Sequence, residues 1–168
     1  LACGSIDLVV AGGMESMTNA PYLLKKHRSG ARAGHDTAYD HMFLDGLEDA
    51  YDPGRAMGTF AQDTADEYQL TRQAQDEYSI ESLRRAREAI DNGSFGSEVV
   101  PVTVKTRKGE VIVDIDEQPG KGNPEKIPTL RAAFAKDGTI TAASSSSISD
   151  GAAAMVLTRE SVAKEKGL

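Results

Sequence analysis

At 168 residues with a formal net charge of -7, the chain is long enough for one ordinary domain with a real core and lacks the dense Lys/Arg face that nucleic-acid binding demands. Its single cysteine, Cys3, excludes an intrachain disulfide, and none of the three histidines has a Cys or His at metal-ligand spacing, so no metal site is expected. No apolar run reaches the ~18 residues of a spanning helix, so no membrane partner is expected, and the sparing use of cysteine suits a reducing, cytoplasmic setting.

The chain starts at Leu1, not Met, and enters an apolar run almost at once, which reads as a piece of something longer. Ile6 to Ala11 (IDLVVA) is rich in β-branched residues and closes on Gly12-Gly13, the pattern of a strand buried on both faces of a parallel or mixed sheet. The glycine pair allows a turn or a close backbone approach. It is not a dinucleotide fingerprint, because GGMESM lacks the third glycine and no amphipathic helix follows directly.

Asn19 to Asp40 has no sustained periodicity and gathers Lys25, Lys26, His27, Arg28 and Arg32. Two readings stay open: a solvated loop, or an arm that packs on another subunit or near an anionic ligand. Met42 to Tyr51 reads as a short amphipathic helix ending at the Tyr51-Asp52-Pro53-Gly54 turn. Helices are predicted from Met57 to about Gln69 and from Thr71 to about Asp91, with Thr71 as N-cap and Asn92-Gly93 as the stop. In the second, Ala74, Tyr78, Leu83, Ala86 and Ile90 form the apolar stripe, and Arg84, Arg85 and Arg87 the solvent side.

Val99 to Lys105 and Gly109 to Asp114 alternate around Thr106 to Lys108, predicting a β-hairpin. Ile115 to Pro128, with three Pro and two Gly, shows no regular structure of its own. Leu130 to Phe134 runs into the Ala135-Lys136-Asp137-Gly138 turn, and then into a serine-rich stretch joined through Asp150-Gly151 to a second apolar strand, AAAMVLT. Those serines are not nucleophiles, since there is no G-x-S-x-G elbow and no histidine close in sequence. Glu160 to Lys166 starts a last helix. The organisation is therefore strand, long excursion, strand: an α/β chain carrying an inserted subdomain.

Val10 to Met17 (VAGGMESM), Asp45-Gly46-Leu47, Met57-Gly58-Thr59, Leu130 to Phe134, Asp137-Gly138-Thr139, Thr141-Ala142 and Ser146 to Ala153 (SSISDGAA) stand in the order found in one family. Through them the whole chain resembles the thiolases, the acetyl-CoA acetyltransferase and 3-ketoacyl-CoA thiolase group. The resemblance implies that Ile6 to Ala11 and Ala152 to Leu157 are neighbours in a five-stranded mixed sheet. It assigns residues 1–18 and 139–168 to the N-terminal core, and residues 19–138 to an inserted loop domain with helices, a hairpin, an oligomerisation arm and a loop covering coenzyme A.

The implied chemistry is a reversible Claisen condensation or thiolysis of acyl-CoA thioesters through a cysteine acyl-enzyme, with a histidine and a second cysteine moving protons. None of those groups matches a residue here. Cys3 falls at a place the family's nucleophile does not occupy and reads as a small, semi-buried residue, so the chain alone is expected to be inactive. Leu47, Met57, Phe134, Ala142 and Ser146 match positions that line the family's coenzyme A site. Leu, Met and Phe suit an apolar wall, and Ala142 and Ser146 a close approach and a hydrogen bond.

No cofactor is implied beyond the coenzyme A thioester as substrate. The implied partners are acyl-CoA or coenzyme A, the remainder of the thiolase chain, and other copies in a dimer or tetramer. The chain departs from the family at Ala56, where His is common, at Ser144, where Asn is common, and in the nucleotide-binding loop, where Lys121 or Lys126 would supply the charge. The alternative is a non-catalytic thiolase-like module for acyl-CoA binding or assembly. A strand pair taken from a larger sheet is also expected to leave apolar edges open and to associate.

Overall fold

A computed structural model describes every residue from Leu1 to Leu168. In chain order the elements are β1 (Leu8–Glu15), β2 (Tyr22–Leu23), β3 (Tyr39–Asp40), α1 (Met57–Glu67), α2 (Arg72–Asp91), β4 (Val102–Thr106), β5 (Gly109–Val113), α3 (Gln118–Lys121), β6 (Gly151–Thr158) and α4 (Glu160–Lys166). They form two compact units, Leu1–Gly54 with Ser147–Leu168, and Arg55–Ser146. No helix is long and apolar enough to cross a membrane.

The first unit is built on β1 and β6, which pair antiparallel from Leu8 opposite Thr158 to Glu15 opposite Gly151. The strand runs through Gly12-Gly13 instead of stopping there, and Gly12 shows why glycine is needed: a Cβ would lie 2.4 Å from the Ala153 carbonyl oxygen. Both ends of the ribbon are tied. Thr18 donates its N–H to Asp150 Oδ1 at 2.8 Å, and at the far end Thr158 Oγ1 donates to the Asp7 carbonyl at 2.7 Å while Arg159 pairs with Asp7. The Thr18 hydrogen bond holds the Asp150 carboxyl below the usual carboxylate range.

The expectation that these strands are buried on both faces is not met: Val10 is 67% and Met14 85% exposed, and Met155, Val156 and Leu157 are exposed as well. Two strands have no further strand to lie against, so alternating side chains cannot find cover. The basic stretch is less formless than its sequence. β2 pairs with β3, Lys25 Nζ sits 4.0 Å from the Tyr39 ring centre, and His27 Nδ1 lies 3.2 Å from Asp36 Oδ2. The amphipathic helix expected from Met42 is a single π-helical turn, Phe43–Leu47.

In the second unit α1 and α2 start and stop near the predicted residues. Thr71 caps α2 by accepting the Ala74 N–H, and Gly93, at φ 70°, ends it. The buried face of α2 is different from the one expected. Tyr78 is exposed, whereas Asp76 and Ser79 are buried, and Arg87 points inward instead of to solvent. Leu83 does pack: a Cβ on Gly122 would lie 2.7 Å from its Cδ2.

β4 and β5 form the predicted hairpin, with Val102 opposite Val113 and Val104 opposite Val111. The stretch from Ile115 to Pro128 is more regular than expected, holding α3 and a 3-10 turn at Pro124–Thr129. Part of that order is local, as where Asn123 accepts the Glu125 N–H, and part comes from α2, whose Arg72 and Arg87 donate to its carbonyls.

Candidate functional site

Helix α1 opens on Met57. Thr59 closes the first turn by donating both its N–H (2.9 Å) and its hydroxyl (2.7 Å) to the Ala56 carbonyl. Arg55, just before the helix, lays its guanidinium 3.8 Å from the Phe60 ring centre and pairs with Asp63. Gly58 then leaves the helix backbone bare, and the Phe134 ring lies directly on it: a Cβ at 58 would stand 2.2 Å from Phe134 Cζ. Met57, 42% exposed, and Phe134, 38% exposed, therefore sit at one helix start and present apolar surface to solvent.

The segment after Phe134 returns to the same helix. Ala133 donates its N–H to the Ile140 carbonyl at 2.9 Å, closing a loop whose far foot rests on Gln62. The buried Gln62 side chain accepts from the N–H groups of Thr139 (2.8 Å) and Ile140 (3.2 Å) and donates to Asp66 Oδ1 at 2.8 Å. Gly138 is kept small by this contact, since a Cβ there would lie 2.5 Å from Gln62 Oε1. Gln75, from α2, donates to Thr139 Oγ1 at 2.9 Å and to the Leu70 carbonyl at 3.0 Å.

Thr141, with 0% exposure, anchors the following turn. Its Oγ1 accepts the Ala143 N–H at 3.3 Å and its carbonyl accepts the Ser145 hydroxyl at 2.7 Å. Ala142, the first residue of that anchored turn, and Ser146, just past it, stand exposed.

Two arginines of α2 organise the stretch from Pro119 to Leu130. Arg72 holds both carboxylate oxygens of Asp76 through Nε (2.9 and 2.8 Å) and reaches the carbonyls of Ile127 (3.1 Å) and Leu130 (2.9 Å) through Nη2. Arg87 donates to the carbonyls of Pro119 (3.0 Å) and Gly122 (2.6 Å). The planar fork of donors suits this stitching of loop carbonyls. Lys121 is paired with Glu117 at 3.1 Å.

Four of the five expected residues, Met57, Phe134, Ala142 and Ser146, thus lie in the second unit. Phe134 lies on Gly58, the residue after Met57, and Ala142 and Ser146 lie in and just past the Thr141 turn. Leu47 belongs to the first unit, half-buried in its π-helical turn. The sequence does not single out Gln62, Gln75, Arg72 or Asp76, and it puts Arg87 on the solvent side, since polar residues in an amphipathic helix read as a wet face. Their one signal was spacing, because Gln62 follows Gly58 by four residues and shares its face.

Cys3 is exposed, not semi-buried. Its Sγ lies 3.1 Å from Ser5 Oγ, and that hydrogen bond lowers the thiol from its ordinary value; its partner is a serine, not a histidine. No group of His, Cys, Asp or Glu side chains is placed to hold a metal ion. An open hollow of about 690 Å³ lies along α2, lined by Ile80, Arg84, Arg87, Glu88, Asp91, Asn92 and Pro124, none of them among the expected ligand residues. Glu81 and Glu88 already pair with Arg84, and Glu81 is pushed down to about 2 by Arg84 and Arg85.

The chain is similar to several known proteins. The family model for the thiolase N-terminal domain matches residues 1–161. An acetyl-CoA acetyltransferase from Saccharomyces cerevisiae is 45% identical over all of this chain and 43% of its own length. A probable acetyl-CoA acetyltransferase from Dictyostelium discoideum is 46% identical over all of this chain and 41% of its own. Among solved structures, a thiolase from Ascaris suum in complex with coenzyme A superposes with a TM-score of 0.84 at 42% identity, over 99% of this chain and 42% of that one. An acetyl-CoA acetyltransferase from Syntrophomonas wolfei gives 0.85 at 38% identity, over 99% and 42%. The chain spans less than half the length of these relatives. It belongs to the thiolase family and carries that family's N-terminal domain sequence.

Proposed function

We propose that this chain is part of an acetyl-CoA C-acetyltransferase that runs Claisen condensation and thiolysis of acyl-CoA thioesters through a cysteine acyl-enzyme. The chain supplies the coenzyme A-binding loop domain, residues 19–138, while residues 1–18 and 139–168 return to a five-stranded core completed by the remainder of the protein. Met57, Phe134, Ala142 and Ser146, all in the second unit, line the coenzyme A site, and Leu47 enters by the family resemblance alone. Coenzyme A enters as substrate, no other cofactor takes part, and the whole protein works in the cytoplasm as a dimer or tetramer.

The observation that carries this reading is the Phe134 ring laid on Gly58 beside Met57, an exposed apolar wall on a tightly bonded scaffold. A pantetheine arm is a narrow, largely apolar chain with two amides, and it fits a wall of this kind followed by an exposed Ala and a serine hydroxyl. The nucleophile and the proton-moving groups come from outside these residues. The chain's own part is to bind and orient the thioester.

Calorimetric titration of the full-length protein with coenzyme A tests this directly. Phe134→Ala is expected to weaken binding about tenfold, ~1.4 kcal/mol, by removing one face of the wall. Unchanged affinity would exclude Phe134 from the site. Binding without thiolysis by the full-length protein would instead favour the non-catalytic acyl-CoA module.

A further inference from the structure

One face of α1 grips both ends of a single loop. Phe134 rests on Gly58, and Thr139 and Ile140 give their N–H groups to Gln62, one helical turn further on. The Ala133 to Ile140 hydrogen bond closes the neck between these two feet. Whatever fixes the far foot therefore fixes both the tilt of Phe134 and the point where the chain departs toward Ala142 and Ser146.

We infer that Gln62 is a positioning residue for coenzyme A binding, its side-chain oxygen gathering the Thr139 and Ile140 N–H groups so that Phe134 and the Ala142–Ser146 turn are held in one arrangement. The role rests on the coenzyme A site proposed above. Gln62 is 7% exposed and reaches the ligand-facing residues only through this loop. Its amide nitrogen is held by Asp66 and lies 3.4 Å from Thr139 Oγ1, so the oxygen faces the two N–H groups in a fixed orientation. Gln75 holds Thr139 from the other side. An apolar residue at 62 would leave two backbone donors buried without an acceptor, and the loop would have to shift to hydrate them.

The test uses the full-length protein with Gln62→Leu and Gln62→Glu. Leu keeps the volume and removes the acceptor. Glu, ionised or protonated, keeps an oxygen toward the two N–H groups. Gln62→Leu is expected to weaken coenzyme A binding about tenfold and raise KM for coenzyme A about as much, with kcat at saturation within about twofold, and Gln62→Glu to restore affinity to within about threefold. A folded Gln62→Leu protein that binds as tightly as the unsubstituted one overturns the role, as does an equal loss in both variants. If Gln62→Leu does not fold, amide hydrogen exchange at Thr139 and Ile140 in the unsubstituted protein decides. Exchange slowed about tenfold or more by coenzyme A supports the role, and no change overturns it. If the unsubstituted protein binds no coenzyme A at all, the proposed site itself is wrong, and the role of Gln62 falls with it.

Discussion

At Gly58 the effect of a side chain can be read from one distance. A methyl group there would enter the Phe134 ring at 2.2 Å, so Gly58→Ala must lift the ring off α1. It is expected to cost about 1–3 kcal/mol in stability, measured by denaturant unfolding of the full-length protein, and a loss below about 0.3 kcal/mol would mean that the ring is not seated there. Asp150 gives a second residue-scale test, this one in pH. The Thr18 N–H favours the ionised carboxylate, so its folded pKa lies below the ordinary value of about 3.9. The stability it contributes is present above that ordinary value and is lost as pH falls through the lower, folded one. The Thr18 amide resonance is expected to titrate below pH ~3.9, and Asp150→Asn to abolish that titration; movement at the ordinary value would contradict it.

Among elements, α2 does the most to order its surroundings, and it does so through charge. Asp76 is buried, and Arg72 satisfies it while also tying two loop carbonyls of the 3-10 turn region. Arg72→Met is expected to destabilise the protein by about 3 kcal/mol because it strands a buried carboxylate. The same variant should speed proteolysis within Pro124–Leu130, whereas an equally resistant segment would show that α3 and the turn hold themselves. The ends of α2 were legible because they are set locally: Thr71 offers an oxygen to a free N–H, and Gly93 takes the left-handed conformation that stops the helix. Its inward face was not legible, since Asp76 and Ser79 are buried, and Arg72 and Arg87 reach carbonyls some fifty and thirty residues away that no periodicity in α2 can announce. For the same reason Ile115 to Pro128 read as formless. Four of its carbonyls, those of Pro119, Gly122, Ile127 and Pro128, accept from arginines of α2.

Over the whole molecule the strand, excursion, strand pattern was legible because both strands carry dense β-branched or small apolar sequence with glycine beside it. Their exposure was not, because an apolar pattern does not say whether a second layer covers it: Val10, Met14, Met155 and Val156 all stand exposed. The site divides in the same way. Residue type and motif order pointed to Leu47, Met57, Phe134, Ala142 and Ser146, while the polar frame of Gln62 and Gln75 became visible only with the fold. The central claim is that these residues bind coenzyme A for chemistry performed elsewhere in a longer thiolase. A crystal structure of the full-length protein with coenzyme A tests it most directly. The pantetheine is expected to lie within van der Waals distance of Met57 and Phe134 and to pass Ala142 and Ser146. Coenzyme A bound away from all four would contradict the claim.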